Sequence, residues 1–569
     1  MMKPQLFAWC LILLGTSLTH EASLAEDGPG PLKLTVFNET VHTIDQRIFG
    51  HFLERSKEEP GPEAALEPGT DRLDPAVLDY LESMEIPILR FPGGGSVEYG
   101  RTWTHLIDGA YDRAEPARPD DATYGLDSFL RLCARLETEP MLVVALSRPL
   151  REWHNESWVQ SVENAAAMVA YCNAPLDADL PEELLRWARL RAENGHPEPW
   201  NVRHWQIGNE PFWAFAGTLT KKEESPEAIA ELYVEQVALH LEAMRAVDPS
   251  IEIYVEIQME QNQTPVPVAE ALKERLGDQI DWFTFHNYQP WGIKIVERDG
   301  EPFDPTQLSQ EAFYRAAASV PGTDPETGLA RLRDKSLRLA RELGYPVGVT
   351  EWNWNGWWDL PGSSRLPRDP FANGIGAAGY LHAFMRDGDV IRVANQSMLV
   401  GSNWEIAGIR VPKPGDAFRP FITPTALAVS LYSRHHGDRF LRTESAGNTF
   451  YSQPYRLGNI RQMERVAELD IVCTRDADSL YLHAINRDNA HGRLLLVELE
   501  GFGPQSPILA QLYSMQERPA AHATPLDRAE VITRDLGPLV QMPRIPILLP
   551  PKTVNVVEIK LGIPPASAP

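Results

Sequence analysis

Between about residues 44 and 420, short apolar runs rich in β-branched and aromatic residues alternate with longer amphipathic stretches, and no other feature limits the possible folds as much. That alternation is the mark of repeated βα units, in which helices cover both faces of a parallel sheet. The runs are Ile48–Leu53, Ile88–Phe91, Met141–Leu146, Val202–Ile207, Ile251–Glu256, Trp282–Phe285, Val347–Thr350 and Val390–Asn395. Eight of them predict an α/β fold, a closed (β/α)8 TIM barrel over residues 46–420. The intervening stretches carry helix signals. Asp74-Pro75 precedes Val77, Leu78, Leu81 and Met84, Ser225-Pro226 precedes Ile229, Tyr233, Val237, Leu241 and Met244, and Gly344 stands where the helix carrying Leu332, Leu339 and Leu343 should stop.

After about residue 425 the helical pattern fades into short alternating segments such as Leu469–Cys473, Leu480–Asn486, Arg493–Glu500 and Val554–Lys560, separated by Pro, Gly and Asp turns. Residues 421–569 therefore read as a β-sandwich. Within residues 26–45, the early strand Leu32–Phe37 precedes the barrel and is expected to pair with that sandwich. Residues 1–25 differ in character: Lys3, an apolar Leu6–Leu14 run, then Ser23-Leu24-Ala25. That order reads as a cleavable signal, cut near Ala25, so the chain is expected to be secreted or periplasmic. No later stretch approaches the ~18 consecutive apolar residues of a membrane span.

The formal net charge of −26 argues against nucleic acid as a partner, because affinity for a polyanion is dominated by basic contacts to phosphate. With Cys10 inside the signal, Cys133, Cys172 and Cys473 remain, too scattered for a disulfide framework or a zinc site and best read as buried thiols. The histidines show no metal-ligand spacing, and no cofactor is expected.

Two of the apolar runs end on a glutamate that is followed by a loop. Val202–Ile207 leads into Gly208-Asn209-Glu210-Pro211, and Val347–Thr350 leads into Glu351. Functional groups of a barrel sit at the carboxyl ends of its strands, and Pro211 cannot extend a ladder, so Glu210 is expected to meet a cleft. Phe212, Trp213 and Phe215 follow Glu210, and Trp352, Trp354, Trp357 and Trp358 follow Glu351, interleaved with Asn353, Asn355, Gly356 and Asp359. Aromatic faces stack on the C–H faces of sugars, so Trp213, Trp352 and Trp354 are candidate substrate contacts. His286 and Tyr288 follow the sixth run, and Arg90 ends the second, just before Phe91-Pro92-Gly93-Gly94-Gly95. A buried arginine beside a carboxylate keeps it ionised and orients it. The triple glycine lacks the Lys-Ser/Thr of a phosphate-binding loop, and a tight turn or a close backbone approach explains it better.

Several motifs occur in one order along the chain: Gly50-His51-Phe52-Leu53-Glu54, Leu89-Arg90-Phe91-Pro92-Gly93-Gly94, Ala170-Tyr171-Cys172-Asn173, Arg191-Ala192-Glu193-Asn194-Gly195-His196-Pro197, Gly208-Asn209-Glu210, Glu351-Trp352-Asn353, Phe421-Ile422-Thr423-Pro424-Thr425 and Leu482-His483-Ala484-Ile485-Asn486. In these the chain resembles glycoside hydrolase family 51, within the clan of retaining (β/α)8-barrel glycosidases. That family is known for α-L-arabinofuranosidases on a barrel joined to a β-sandwich. The resemblance implies Glu210 as acid/base, Glu351 as nucleophile, Asn209 as donor to a sugar hydroxyl, Glu54 as a further hydroxyl contact, and Arg90, His286 and Tyr288 as positioning groups. By the same analogy a homo-oligomer is expected. The chain departs from the family at Gly95, where Asn is usual, and at Thr350, where Asp is usual. At the family's glutamine near the eighth strand Met398 stands, with Gln396 two residues earlier.

The expected chemistry is retaining glycoside hydrolysis of plant-type polysaccharide or oligosaccharide, with carboxyl groups roughly 5–5.5 Å apart. The charge of Glu351 is expected to push Glu210 upward. Rival readings are another activity of the clan, such as a β-xylosidase or an endo-glucanase, and a polysaccharide-binding protein without turnover.

Overall fold

The computed structural model describes residues 29–562 except 55–60, 68–69, 71, 101, 108–123, 152–153, 355, 403–405, 414, 504–505, 519–528, 540–541 and 543. The expected signal lies outside the described residues. No helix among those described is long and apolar enough to cross a membrane.

After strand β1 (Leu32–Thr43) come eight strands: β2 (Gly50–Phe52), β3 (Ile88–Phe91), β4 (Glu139–Val144), β5 (His204–Ile207), β6 (Glu252–Glu256), β7 (Trp282–Tyr288), β8 (Val347–Asn353) and β9 (Ile391–Ser397). They close a barrel in chain order, with β9 pairing back onto β2, and every ladder is parallel. Each expected run contributes one of these strands. The largest differences are in β7 and β8, each of which continues three residues further than the apolar run. Polar residues face the mouth of the barrel there, so the strand outlasts its hydrophobic pattern.

Strand alternation decides what faces inward. In β3, Leu89 and Phe91 join the core beneath the surrounding helices. Ile88 joins Met141, Tyr254, Trp282 and Val393 inside the barrel, below the mouth. The helix expected after Asp74-Pro75 spans Pro75–Ser83, with the Asp74 carboxylate accepting from Ala76 N, a cap worth about 1 kcal/mol. Ser225 caps helix Pro226–Val247 in the same way, and Gly344 closes helix Lys335–Leu343 in the left-handed conformation, φ 81°.

The remaining strands of the large sheet are β10 (Arg439–Ala446), β11 (Leu469–Arg475), β12 (Ser479–Asn486), β13 (Arg493–Glu500), β14 (Ser506–Glu517), β15 (Ala529–Pro538), β16 (Ile545–Leu549) and β17 (Thr553–Gly562). Their order is β15-β14-β17-β12-β11-β10-β1-β13-β16. Leu480 and Leu482 of β12, Val557 of β17, Leu495 of β13 and Ile547 of β16 share one core, so the sheet folds over on itself as a sandwich. Strand β1 lies inside this sheet, antiparallel to β10 and parallel to β13.

One helix departs from expectation. Residues Pro424–Arg434, read from sequence as the start of the sandwich region, form a helix packed on helix Pro370–Arg386 and buried over most of its surface. A helix covered all round shows no polar stripe and leaves no period to read. Helix Pro370–Arg386 also joins the barrel to the sandwich. His382 Nδ1 lies 2.9 Å from Asp470 Oδ1, Arg386 pairs with the same oxygen, and Arg487 donates twice at 3.3 Å to Oδ2. Cys133, Cys172 and Cys473 are free and buried.

Candidate active site

Arg90 is fully buried at the end of β3 and spends its guanidinium on three acceptors. Nη1 donates to Glu351 Oε1 at 2.9 Å, Nη2 to Asn209 Oδ1 at 2.7 Å, and Nε to Gln206 Oε1 at 2.9 Å. Because Arg90 occupies the Asn209 oxygen, that amide presents its NH2 end to the mouth, which suits a donor to a hydroxyl. Tyr288 donates to the other oxygen of Glu351 at 2.8 Å. Both oxygens of this carboxylate are therefore fixed.

Glu351 reaches the mouth through an irregularity in β8. Val349 pairs with Phe285 of β7, yet Glu351 pairs with the very next residue, His286, so Thr350 is an extra residue in the ladder. Val349 lies in the outer core, and strict alternation would send Glu351 there too. The bulge at Thr350 turns Glu351 inward and Trp352 outward.

That same turn corrects two expectations. Trp352 does not line the mouth; it is fully buried against Tyr380 and Phe384 of helix Pro370–Arg386. Trp354 packs edge-on to Phe313 and beside Gly376, also in the core. Their large apolar area is better buried under helices than left at the mouth. Trp213 is 56% exposed and donates from Nε1 to Glu210 Oε2 at 2.9 Å, so it does stand at the site.

Glu210 follows β5 after Gly208 and is itself left-handed, φ 47° and ψ 48°, a costly conformation for a residue with a Cβ. Its backbone N–H donates to Glu256 Oε2 at 3.0 Å, which helps hold the turn. His286 Nδ1 lies 3.2 Å from Glu210 Oε1 and 3.5 Å from Glu351 Oε2, bridging the two carboxyls. The side chain of Glu210 is 26% exposed against 7% for Glu351, so the first faces the opening and the second lies deeper. One oxygen of each carboxyl lies within 4.8 Å of the other.

Glu54 sits beside this group, buried beneath the glycine turn. Gly94 has φ 59°, and a Cβ there would fall 1.6 Å from Glu54 Oε1. The glycines thus serve a tight turn and the close approach of a carboxyl group.

Electrostatics separate the carboxyls. Burial drives Glu54 well above the ordinary range, reinforced by the charge of Glu351. Burial pushes Glu210 upward too, but the hydrogen bond and charge of His286, with Trp213 and Arg90, bring it below the usual value. The rise expected for Glu210 is therefore not found. His286 is the other half of this pairing. Burial pulls it down, while Glu351, the bond to Glu210 and the charge of Glu256 raise it above an ordinary histidine. Burial places Glu256 at about 8.

Glu98, Gln206, Glu256 and Gln258 escape a reading of motifs. Glu98, on helix Gly94–Tyr99, accepts from Leu146 N, Ser147 N, Ser147 Oγ and Asn209 N at 2.8–3.1 Å, tying two loops to that helix. Gln258 Oε1 receives the His286 N–H at 2.7 Å. The polar ends of the apolar runs were the available signal. Gln396 pairs in register with His51 and Trp352, whereas Ser397 pairs with Phe52, which stacks on Arg90; Gln396 therefore faces away from the site.

Glu210, His286 and Glu351 are the one group among the described residues close enough to share a metal ion. Arg90 supplies a positive charge beside one of its two carboxylates, Glu351.

Residues 80–297, which include Arg90, Asn209, Glu210, His286 and Tyr288, match the family described as Alpha-L-arabinofuranosidase 1 domain. Over that stretch the chain is similar to α-L-arabinofuranosidases. It is 30% identical over 232 residues to Alpha-L-arabinofuranosidase C of Emericella nidulans, covering 37% of this chain and 39% of that protein. It is 25% identical over 493 residues to the Intracellular exo-alpha-(1->5)-L-arabinofuranosidase of Streptomyces lividans, covering 81% of this chain and 65% of that one. The chain thus spans only about two fifths of the Emericella relative it matches. The crystal structure of α-L-arabinofuranosidase from Thermotoga maritima in an arabinose complex superposes with a TM-score of 0.65 at 20% identity, covering 93% of this chain and 100% of that chain. The likeness in fold thus covers nearly the whole chain, barrel and sandwich together.

Proposed function

We propose that this protein is a retaining, exo-acting α-L-arabinofuranosidase that removes α-L-arabinofuranosyl units from plant-type polysaccharides or oligosaccharides. The observation that carries the reading is the fixed carboxylate of Glu351, held by Arg90 at 2.9 Å and Tyr288 at 2.8 Å, with the Glu210 carboxyl a short distance away. Glu351 attacks the anomeric carbon to form a glycosyl ester. Glu210 gives its proton to the leaving oxygen, then takes one from water as the ester is hydrolysed. The proton reaches Glu210 Oε1 from His286 Nδ1, 3.2 Å away, so the pair acts as one acid. The short carboxyl separation supports retention, because inversion needs room for water at roughly 6.5–9.5 Å.

The names of the relatives support arabinofuranoside as the substrate class. Residues 1–25 support export, with the mature chain starting at Glu26. The test is hydrolysis of a panel of nitrophenyl glycosides by the protein and by Glu351→Ala and Glu210→Ala. Release from the α-L-arabinofuranoside that both substitutions cripple is expected. Activity confined to β-D-xylopyranoside moves the specificity, and a product released first as the β-anomer by NMR overturns retention.

A further inference from the structure

A cavity of about 440 Å³ is lined in part by Asn287 of β7 and by none of the catalytic carboxyls. That volume falls within the ~300–1,000 Å³ of small-molecule sites. His286 and Tyr288 point into the barrel, and Asn287 between them points outward to line this cavity. Asn459 completes the shared wall, donating to Tyr288 O at 2.8 Å and accepting from Trp291 N at 3.0 Å.

Three arginines border the cavity, Arg333, Arg456 and Arg461, in a chain of net charge −26. Arg456 pairs with Glu297 at 3.3 Å. Arg333 and Arg461 are exposed, and among the described residues they have no acidic partner. The one acidic residue of the lining, Asp334, is used internally. Its Oδ1 accepts from Ser336 N and Gln261 Nε2, both at 2.8 Å, and its Oδ2 accepts from Asn287 Nδ2 at 3.2 Å. Two guanidinium groups thus border a space in which the protein supplies no anion to meet them.

The rest of the lining is suited to hydroxyls and C–H faces. Gln261, Gln289 and Gln462 direct their amide N–H groups to protein acceptors, which leaves side-chain oxygens to receive hydroxyl protons. Val320, Pro321, Leu332 and Ile460 supply an apolar wall. A matching ligand donates hydroxyls to the amides, lays a ring face on that wall and brings a carboxylate to the arginines.

We infer that this cavity binds an acidic saccharide, one carrying a uronate carboxylate, at a site separate from the bond that is cleaved. The saccharide character rests on the function proposed above; the anionic character rests on the arginines alone.

The test is isothermal titration calorimetry on the full chain carrying Glu351→Ala, so that no ligand is consumed. The probes are a glucuronate-substituted xylo-oligosaccharide, the same oligosaccharide without the uronate, and sodium sulfate. The uronate form is expected to bind at least ~10-fold tighter than the neutral one, and Arg333→Ala with Arg461→Ala to remove that advantage. In the chain with Glu351 intact, the double substitution leaves hydrolysis of a nitrophenyl arabinofuranoside unchanged. Absence of binding, binding untouched by the double substitution, or sulfate binding as tightly as the uronate each overturns the inference. Failure of the glycoside panel overturns the proposed activity and leaves the calorimetric result standing.

Discussion

Arg90, on β3, donates to Glu351, on β8, at 2.9 Å across the barrel mouth, and the same guanidinium holds Asn209 beside Glu210. One cation therefore sets the position of both the proposed nucleophile, Glu351, and the residue next to the proposed acid, Glu210. A lysine keeps the charge but not the fork. Arg90→Lys is expected to lower kcat/KM by about 10²–10³-fold, the scale of losing an oriented electrostatic contact, while circular dichroism shows a folded chain.

His286 lies 3.2 Å from Glu210; burial pulls it down, but Glu351, Glu210 and Glu256 together hold it above the ordinary histidine range. If it feeds the proton to Glu210, its loss weighs most on substrates whose leaving group needs protonation. His286→Gln is expected to slow hydrolysis of an arabino-oligosaccharide at least ~10-fold more than that of a dinitrophenyl arabinofuranoside. Equal losses on the two substrates would remove His286 from the acid step.

Glu256 is raised by burial from 4.5 to about 8, so the folded chain holds a proton there that the unfolded chain releases. Stability from this group is complete below pH 4.5 and is lost as pH rises towards 8. Glu256→Gln cannot ionise and still accepts from Glu210 N. Thermal denaturation across that window is expected to show the wild type losing stability relative to Glu256→Gln as pH rises, and a constant difference would refute the assignment.

Asp470 meets His382, Arg386 and Arg487 where helix Pro370–Arg386 joins the sandwich. Burial raises its carboxyl, but these partners hold it well below the usual range. Asp470→Asn leaves buried cations without their anion and is expected to cost about 3–5 kcal/mol. Differential scanning calorimetry should show the loss, with the rate at low temperature little changed, since the network is remote from the carboxyl pair.

The barrel was legible because parallel strands buried on both faces are apolar and stand out as runs, and each run proved to hold a strand. Glu210 was legible from its place at a strand end before proline. Glu351 was found at the end of its run, but the bulge at Thr350 that aims it inward has no sequence signature. The same bulge explains why Trp352 and Trp354 looked like sugar contacts and are core. Glu98 and Glu256 were missed because their roles, receiving backbone N–H groups from other loops, exist only once the chain is folded.

Strand β1 sits between β10 and β13 in the middle of the large sheet. A ribosome makes it before any of the barrel, yet both of its neighbours are made after the whole barrel is complete. Until then its edges are unpaired, and a late, long-range closure of this kind is slow. The assembly of the molecule is therefore circular: the segment translated ahead of the barrel waits for strands translated after it, and a chain lacking β1 would leave β10 and β13 without the strand they share.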